Sequence, residues 1–123
     1  MRKISIKSGE LTAKATLVDN ETADAIWNAL PIESRASTWG DEIYFSIPVE
    51  VKPAGDARDA VEIGEIGYWP PGNAFCIFFG RTPASHGSEP RAASPVNVFG
   101  RIEGDTTVFK KVRDGAKVKI EQA

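Results

Sequence analysis

Few side chains in this sequence combine reactivity with a spacing that could use it. There is one cysteine, Cys76, and one histidine, His86. A nucleophilic or redox thiol needs an exposed, electropositive setting. Cys76 instead stands inside the apolar run AFCIFF, where a thiol packs as a small hydrophobe, and a lone cysteine has no intramolecular disulfide partner. His86 would have to anchor any metal site or Ser-His-Asp triad by itself. Its neighbours in SHGSE are Ser85, Ser88 and Glu89. They offer neither a known ligand spacing nor a regular element to fix them, so no metal, no positioned nucleophile and no cofactor are expected. The carboxylates Asp56, Asp59, Glu62 and Glu65 read as solvated surface. GYWPPGN contains glycines but no lysine, and its prolines remove backbone donors that a phosphate cradle requires; it reads as a turn.

What remains is a concentration of aromatic residues near basic ones. Tyr44, Tyr68, Trp69, Phe75, Phe78, Phe79 and Phe99 are spread over a short stretch of chain, with Trp39 just before it. Several of these must be core. Tyr44, on the polar phase of an alternating strand, Tyr68 and Trp69 beside Pro70, and Phe79 are the candidates for an open groove. Arg81, His86 and Arg91, all in the polar stretch that follows Phe79, are its charged candidates. Aromatic rings next to a basic loop suit a peptide or a small anionic organic ligand.

The elements that would position these residues are short. Ile4 and Ile6 alternate with Lys3, Ser5 and Lys7, and Leu11, Ala13, Ala15 and Leu17 continue the period of two, so the N-terminus reads as a β-hairpin turning at Ser8-Gly9. The period then changes: Ala23, Ile26, Trp27 and Leu30 form one helical stripe over about residues 21–30, capped by Asp19 or Asn20 and stopped by Pro31. Trp27 is the expected plug of a sheet or barrel. DEIYFSIPVEV alternates strictly, with Ile43, Phe45, Ile47, Val49 and Val51 on one face; Pro48 marks an unpaired edge or bulge. Ala74 to Phe79 is apolar on both faces, the pattern of a strand buried on both sides by the helix or by barrel closure. Arg81 to Pro95 contains no large apolar residue and three prolines, so it reads as a long surface loop of the kind that carries function. VNVFGRI, a short helical segment near 105–111 and AKVKIE complete the chain.

At 123 residues the chain fits one domain, 1–123, with a single core. Lys+Arg 15 against Asp+Glu 17 gives a formal charge of -2, without the excess of positive charge that nucleic-acid binding exploits. The start, MRKISIKSG, alternates charged and apolar residues, and no run approaches the ~20 apolar residues of a membrane span. No nucleic acid and no membrane partner are therefore expected, and the compartment expected is the cytoplasm.

The order of hairpin, helix, a strand ending in F-x-I-P, a buried F/I strand and then NVFGRIEGDTTVFKKV resembles the cyclophilin fold. The stretches GYWPPG (Gly67 to Gly72) and FFGRTP (Phe78 to Pro83) are similar to signatures of the small prokaryotic cyclophilin-like family, whose biochemical role is unassigned. The resemblance implies a mostly β architecture: a closed or nearly closed barrel with one clear α-helix.

It also implies a test for proline isomerase chemistry. Rotation of an X-Pro bond crosses a barrier of ~18–20 kcal/mol, which an enzyme lowers by binding the twisted amide best. Cyclophilins do this with an arginine upstream of the I-P pair, a glutamine shortly after it and a histidine before the V-F-G strand. The resemblance places Phe45 at the arginine position, VEVKPAGD where the glutamine stretch would be, and Val96 or Asn97 near the histidine position. The isomerase set is thus missing. The leading expectation is a domain that binds a peptide or small organic ligand in a surface groove. An atypical isomerase using Arg81 or Arg91 is the alternative, and a non-catalytic oligomeric interaction protein, for instance a homodimer, is the third reading.

Overall fold

The computed structural model describes residues 2–123. Its strands are β1 (Lys3–Ser8), β2 (Leu11–Leu17), β3 (Ile32–Arg35), β4 (Ser37–Thr38), β5 (Glu42–Ser46), β6 (Arg58–Ala60), β7 (Glu65–Trp69), β8 (Ala74–Phe78), β9 (Arg91–Ile102) and β10 (Lys117–Gln122). One helix, α1 (Glu21–Ala29), and two 3-10 turns, Pro70–Gly72 and Thr106–Lys111, complete the elements. The strands form one antiparallel sheet in the order β3-β10-β1-β2-β9-β7-β8-β5-β4, with β6 paired to β9. No ladder joins its two ends. Those ends are nevertheless β3 and β4, separated in the chain by Ala36 alone, so one bent segment pairs first with β10 and then with β5. A side-chain bond from Ser34 Oγ to Ser46 O, 2.8 Å, spans the seam. The sheet is the nearly closed barrel that the sequence leads one to expect.

The interior follows from the period of two. Ile4, Ile6, Ala15, Leu17, Phe45, Ile66, Phe75, Phe99 and Ile120 point inward and are buried. The Phe75 ring stacks on Phe45, 4.9 Å between centroids, and meets Phe99 edge-on at 5.0 Å, both favoured arrangements of aromatic pairs. Helix α1 inserts Ala23 and Ile26 into this core. Its start is capped by Asn20, whose Oδ1 accepts from Ala23 N at 2.8 Å while its Nδ2 donates to Val98 O at 3.0 Å. Trp27, the expected plug, is only half-buried and lies beneath the Arg2 guanidinium, 5.5 Å from ring centroid to carbon; the smaller Ile26 enters the interior instead.

Several boundaries differ from the sequence reading for identifiable reasons. Ser8 pairs with Leu11, so the hairpin turns at Gly9-Glu10, one residue later than expected, and Gly9 takes the left-handed φ of 59° that a two-residue turn needs. The β5 ladder stops at Ser46, and the buried phase continues without it through Ile47 and Val49, with Ile47 N donating to Asn73 O at 2.9 Å. The loop expected over 81–95 ends at Pro90. From Arg91 the chain is β9, because Arg58 and Ala60 of β6 pair with Val96 and Arg91 and bury Ala92. The four expected surface carboxylates also divide. Glu65 is buried and held by Arg58 through two bonds of 2.9 and 2.8 Å, and Glu62 N donates to it at 2.7 Å. Burial alone would raise its pKa, but these donors hold it below its ordinary value.

The early start of β9 and the burial of Glu65 share a cause that matters for the site. The first half of β9, together with β6 and Val61, lies over the outer face of β7 and β8 and creates a second apolar cluster of Val61, Ala74, Cys76, Phe78, Ala92 and Val96. The two-faced apolarity of β8 is thereby explained: Phe75 and Ile77 face the barrel interior, while Ala74, Cys76 and Phe78 face this outer layer. Gly67 makes the layer possible. A Cβ at that position would lie 2.8 Å from Val96 Cγ2, too close for β9 to settle.

Candidate functional site

The outer layer does not cover the sheet completely. Between its edge and β5 lies a cleft of about 270 Å³ lined by Trp39, Glu42, Tyr44, Trp69, Cys76, Ala92 and Ala93. Each wall is fixed by the fold. Trp39 stands in the turn between β4 and β5, where Trp39 N donates to Glu42 O at 2.9 Å and Asp41 N to Arg81 O at 2.7 Å. Gly40 has a φ of 62° and would place a Cβ 2.8 Å from Arg81 O, so this close approach requires glycine. Tyr44 lies opposite Cys76 and Trp69 opposite Ala74 in register. Trp69 Nε1 donates to Ser94 Oγ at 2.7 Å, which ties its indole to β9. Ala92 and Ala93 are small enough to leave the opening.

Glu42 is the polar group of the cleft. It is 5% exposed, and its Oε1 has no hydrogen-bond partner. An unpaired buried carboxylate oxygen is costly, and the group responds by holding its proton. Burial pushes the Glu42 pKa from 4.5 to about 7, offset in part by the neighbouring Cys76 thiol. The same neighbourhood keeps Cys76 a thiol: burial raises its pKa well above the ordinary value, and the Glu42 charge adds to the effect. No lysine, arginine or histidine lines the cleft. Among the described residues no group of three or more His, Cys, Asp or Glu is placed to hold a metal ion.

Of the residues singled out by sequence, the structure brings Tyr44 and Trp69 together in this cleft. It does not bring the others. Tyr68 is fully buried in the barrel core, and its hydroxyl lies 2.7 Å from Val49 O and 3.0 Å from Asn73 Oδ1 while accepting from Val51 N at 3.3 Å. Its place on β7 is the inward one, because Gly67 and Trp69 take the outward phase. Phe79 is 7% exposed and packs against Phe109 in the core, with ring centroids 6.1 Å apart. Arg81 and His86 are exposed and line none of the cleft. Arg91 is engaged elsewhere, by Glu89 at 2.9 Å and Asp59 at 3.1 Å.

The loop that carries Arg81 and His86 is tied to itself and to β9. Thr82 Oγ1 donates to Arg91 O, Ser85 Oγ donates to Glu89 O at 2.5 Å, and the Glu89 carboxylate accepts from His86 N at 2.9 Å and Gly87 N at 2.7 Å. The His86 and Gly87 N–H donors, helped by Arg91, hold the Glu89 pKa down to about 2. Phe45, at the aligned position of the isomerase arginine, is a core residue stacked on Phe75.

Sequence reasoning missed Glu42, Cys76, Ala92 and Ala93 as site residues, and named Trp39 without placing it. One signal was available. If β8 is covered on its outer face, then Glu42 and Tyr44 on the outward phase of its neighbour β5 must be partly covered too.

The comparisons agree with this architecture. Among curated proteins, none matches the chain significantly. The solution structure of the hypothetical protein AF2241 from Archaeoglobus fulgidus is similar to it, with 42% sequence identity over 99% of this chain and 95% of that one, and a TM-score of 0.84. The family model described as Cyclophilin-like matches residues 2–121. With that match spanning nearly the whole described chain and the barrel topology on which it rests, the chain belongs to the cyclophilin-like family.

Proposed function

We propose that this domain is a binding module that takes a small organic molecule, or a single side chain of a peptide, into the Trp39–Tyr44–Trp69 cleft and performs no proline isomerisation. The observation that carries the reading is Glu42, a buried carboxyl that lines an aromatic cleft and has one oxygen, Oε1, without a partner. Small-molecule sites combine apolar walls with a few placed polar groups, and native proteins rarely leave such an atom orphaned without a use for it. At about 270 Å³ the cleft sits just below the ~300–1,000 Å³ typical of drug-sized ligand pockets, which suits a metabolite-sized guest. Absence of the isomerase set supports the non-catalytic half, because Phe45 is core, Arg91 is paired with two carboxylates and Arg81 lies outside the cleft. Action in the cytoplasm is part of this proposal; among the described residues no helix is long and apolar enough to cross a membrane.

The test is a titration of the 15N-labelled protein with n-butylammonium, n-butanol and butyrate, followed at the indole N–H peaks of Trp39 and Trp69 and the amides of Ala92 and Ala93. Movement of these signals together, with any one probe, supports the reading. If no probe moves them, the cleft is not a binding site. A protease-coupled X-Pro peptide assay checks the second half: no catalysis above background is expected, and catalysis lost on Arg81→Ala or Arg91→Ala would overturn it.

A further inference from the structure

Resting on that reading of the cleft, we propose that its ligand is an organic cation bearing at least one N–H, an alkylammonium or guanidinium group held among Trp39, Tyr44 and Trp69 with its N–H on the Glu42 carboxylate. Three features point the same way. Three aromatic rings line the cleft, and the face of an aromatic ring attracts a cation and repels a carbonyl or carboxylate oxygen. No basic side chain lines the cleft to receive an anion. The orphaned Oε1 is an acceptor, and the donor it lacks is one that a protonated amine brings. An acid group could also be satisfied by donating its own proton to a carbonyl oxygen, but that oxygen would then sit against the negative faces of the rings. A quaternary ammonium would satisfy the rings and leave Oε1 unpaired.

The charge state of Glu42 gives the binding a signature. The titratable groups that line the cleft with it are Tyr44 on its own strand and Cys76 on β8; β7 and β9 contribute Trp69, Ala92 and Ala93, and the turn before β5 contributes Trp39, none of which titrates. Cys76 remains a thiol, and an alkylammonium with a pKa of ~10 stays charged, so Glu42 alone changes across neutrality. With its pKa at about 7, the ionised fraction falls roughly tenfold between pH 8 and pH 6. Affinity for a cation should fall by that factor, whereas affinity for a neutral guest should not.

The experiment compares n-butylammonium chloride, tetramethylammonium chloride, n-butanol and sodium butyrate at pH 6 and pH 8, read at the Trp39 and Trp69 indole signals. n-Butylammonium should bind most tightly and about tenfold more weakly at pH 6. Glu42→Gln should abolish the pH dependence and weaken n-butylammonium at least several-fold. Tyr44→Ala, which removes one ring from the half-exposed rim, should weaken it without removing the pH dependence. Tighter binding of n-butanol or butyrate at these signals would overturn the cation assignment while leaving the cleft a binding site. Equal binding of tetramethylammonium would overturn the hydrogen bond to Glu42. Silence from every probe would overturn the cleft itself and this inference with it.

Discussion

Glu42→Gln isolates a stability effect that can be worked out before any ligand is known. The folded-state pKa of Glu42 is raised by burial from 4.5 to about 7, so ionising it costs more in the folded protein than in the unfolded chain. The sign follows from linkage. Below 4.5 both states hold the proton and there is no penalty. As pH rises from 4.5 through about 7 the unfolded chain releases its proton first, and stability is lost throughout that window. At ~1.4 kcal/mol for each unit of pKa, the full loss is about 3 kcal/mol, most of which falls between pH 5 and pH 8. The glutamine variant keeps the shape of the side chain and cannot ionise. Urea unfolding of both proteins at pH 5, 6, 7 and 8 should show the variant gaining roughly 2–3 kcal/mol relative to wild type across that range. Carboxylates held low, such as Glu65 and Glu89, act in the opposite direction at lower pH and cancel in the difference. Parallel stability curves for the two proteins would refute the burial argument, because Glu42 would then have an ordinary pKa.

The remaining predictions concern the parts that shape the cleft. Gly67→Ala forces a methyl to within 2.8 Å of Val96 and should cost ~1–3 kcal/mol in urea unfolding, with faster amide exchange in the first half of β9. Tyr68→Phe leaves Val51 N without its acceptor and should cost ~1–3 kcal/mol by the same measurement while leaving ligand binding unchanged. Ser94→Ala removes the partner of Trp69 Nε1, so a change in Trp69 fluorescence is expected with a stability loss of ~1 kcal/mol. The Glu89 anchor, with its pKa held to about 2 by the His86 and Gly87 N–H groups, is expected to keep those two amides protected from exchange down to pH ~3.

The barrel was legible because its signals are local. The hairpin, the helix from Glu21 and the alternation through Phe45 and Ile47 each announce themselves within a few residues, and the motifs GYWPPG and FFGRTP point to the family. The site was only half legible for the opposite reason. Tyr44 and Trp69 could be read from their phase, but Glu42 looks like any surface glutamate in DEIYFS, and the cleft it lines is completed by β9, about fifty residues away in the chain. The segment that supplies Ala92 and Ala93, RAASP, is built of small and polar residues and reads as loop. Arg91 misled similarly: its charge suggests a ligand contact, whereas Asp59 and Glu89, neither adjacent to it, already neutralise it.

The bend at Ala36 that lets one segment serve as both first and last strand has a consequence for recognition. A conventional sheet ends in a rim of unsatisfied amides that a guest strand can zip onto. Along the main strand path of this barrel that rim is reduced to the two residues of β4 and a β3 whose outward side faces β5 across the Ser34–Ser46 bond. Backbone-to-backbone capture of an extended peptide finds little to start on along that path; the three residues of β6, paired to β9 alone, are the other short edge.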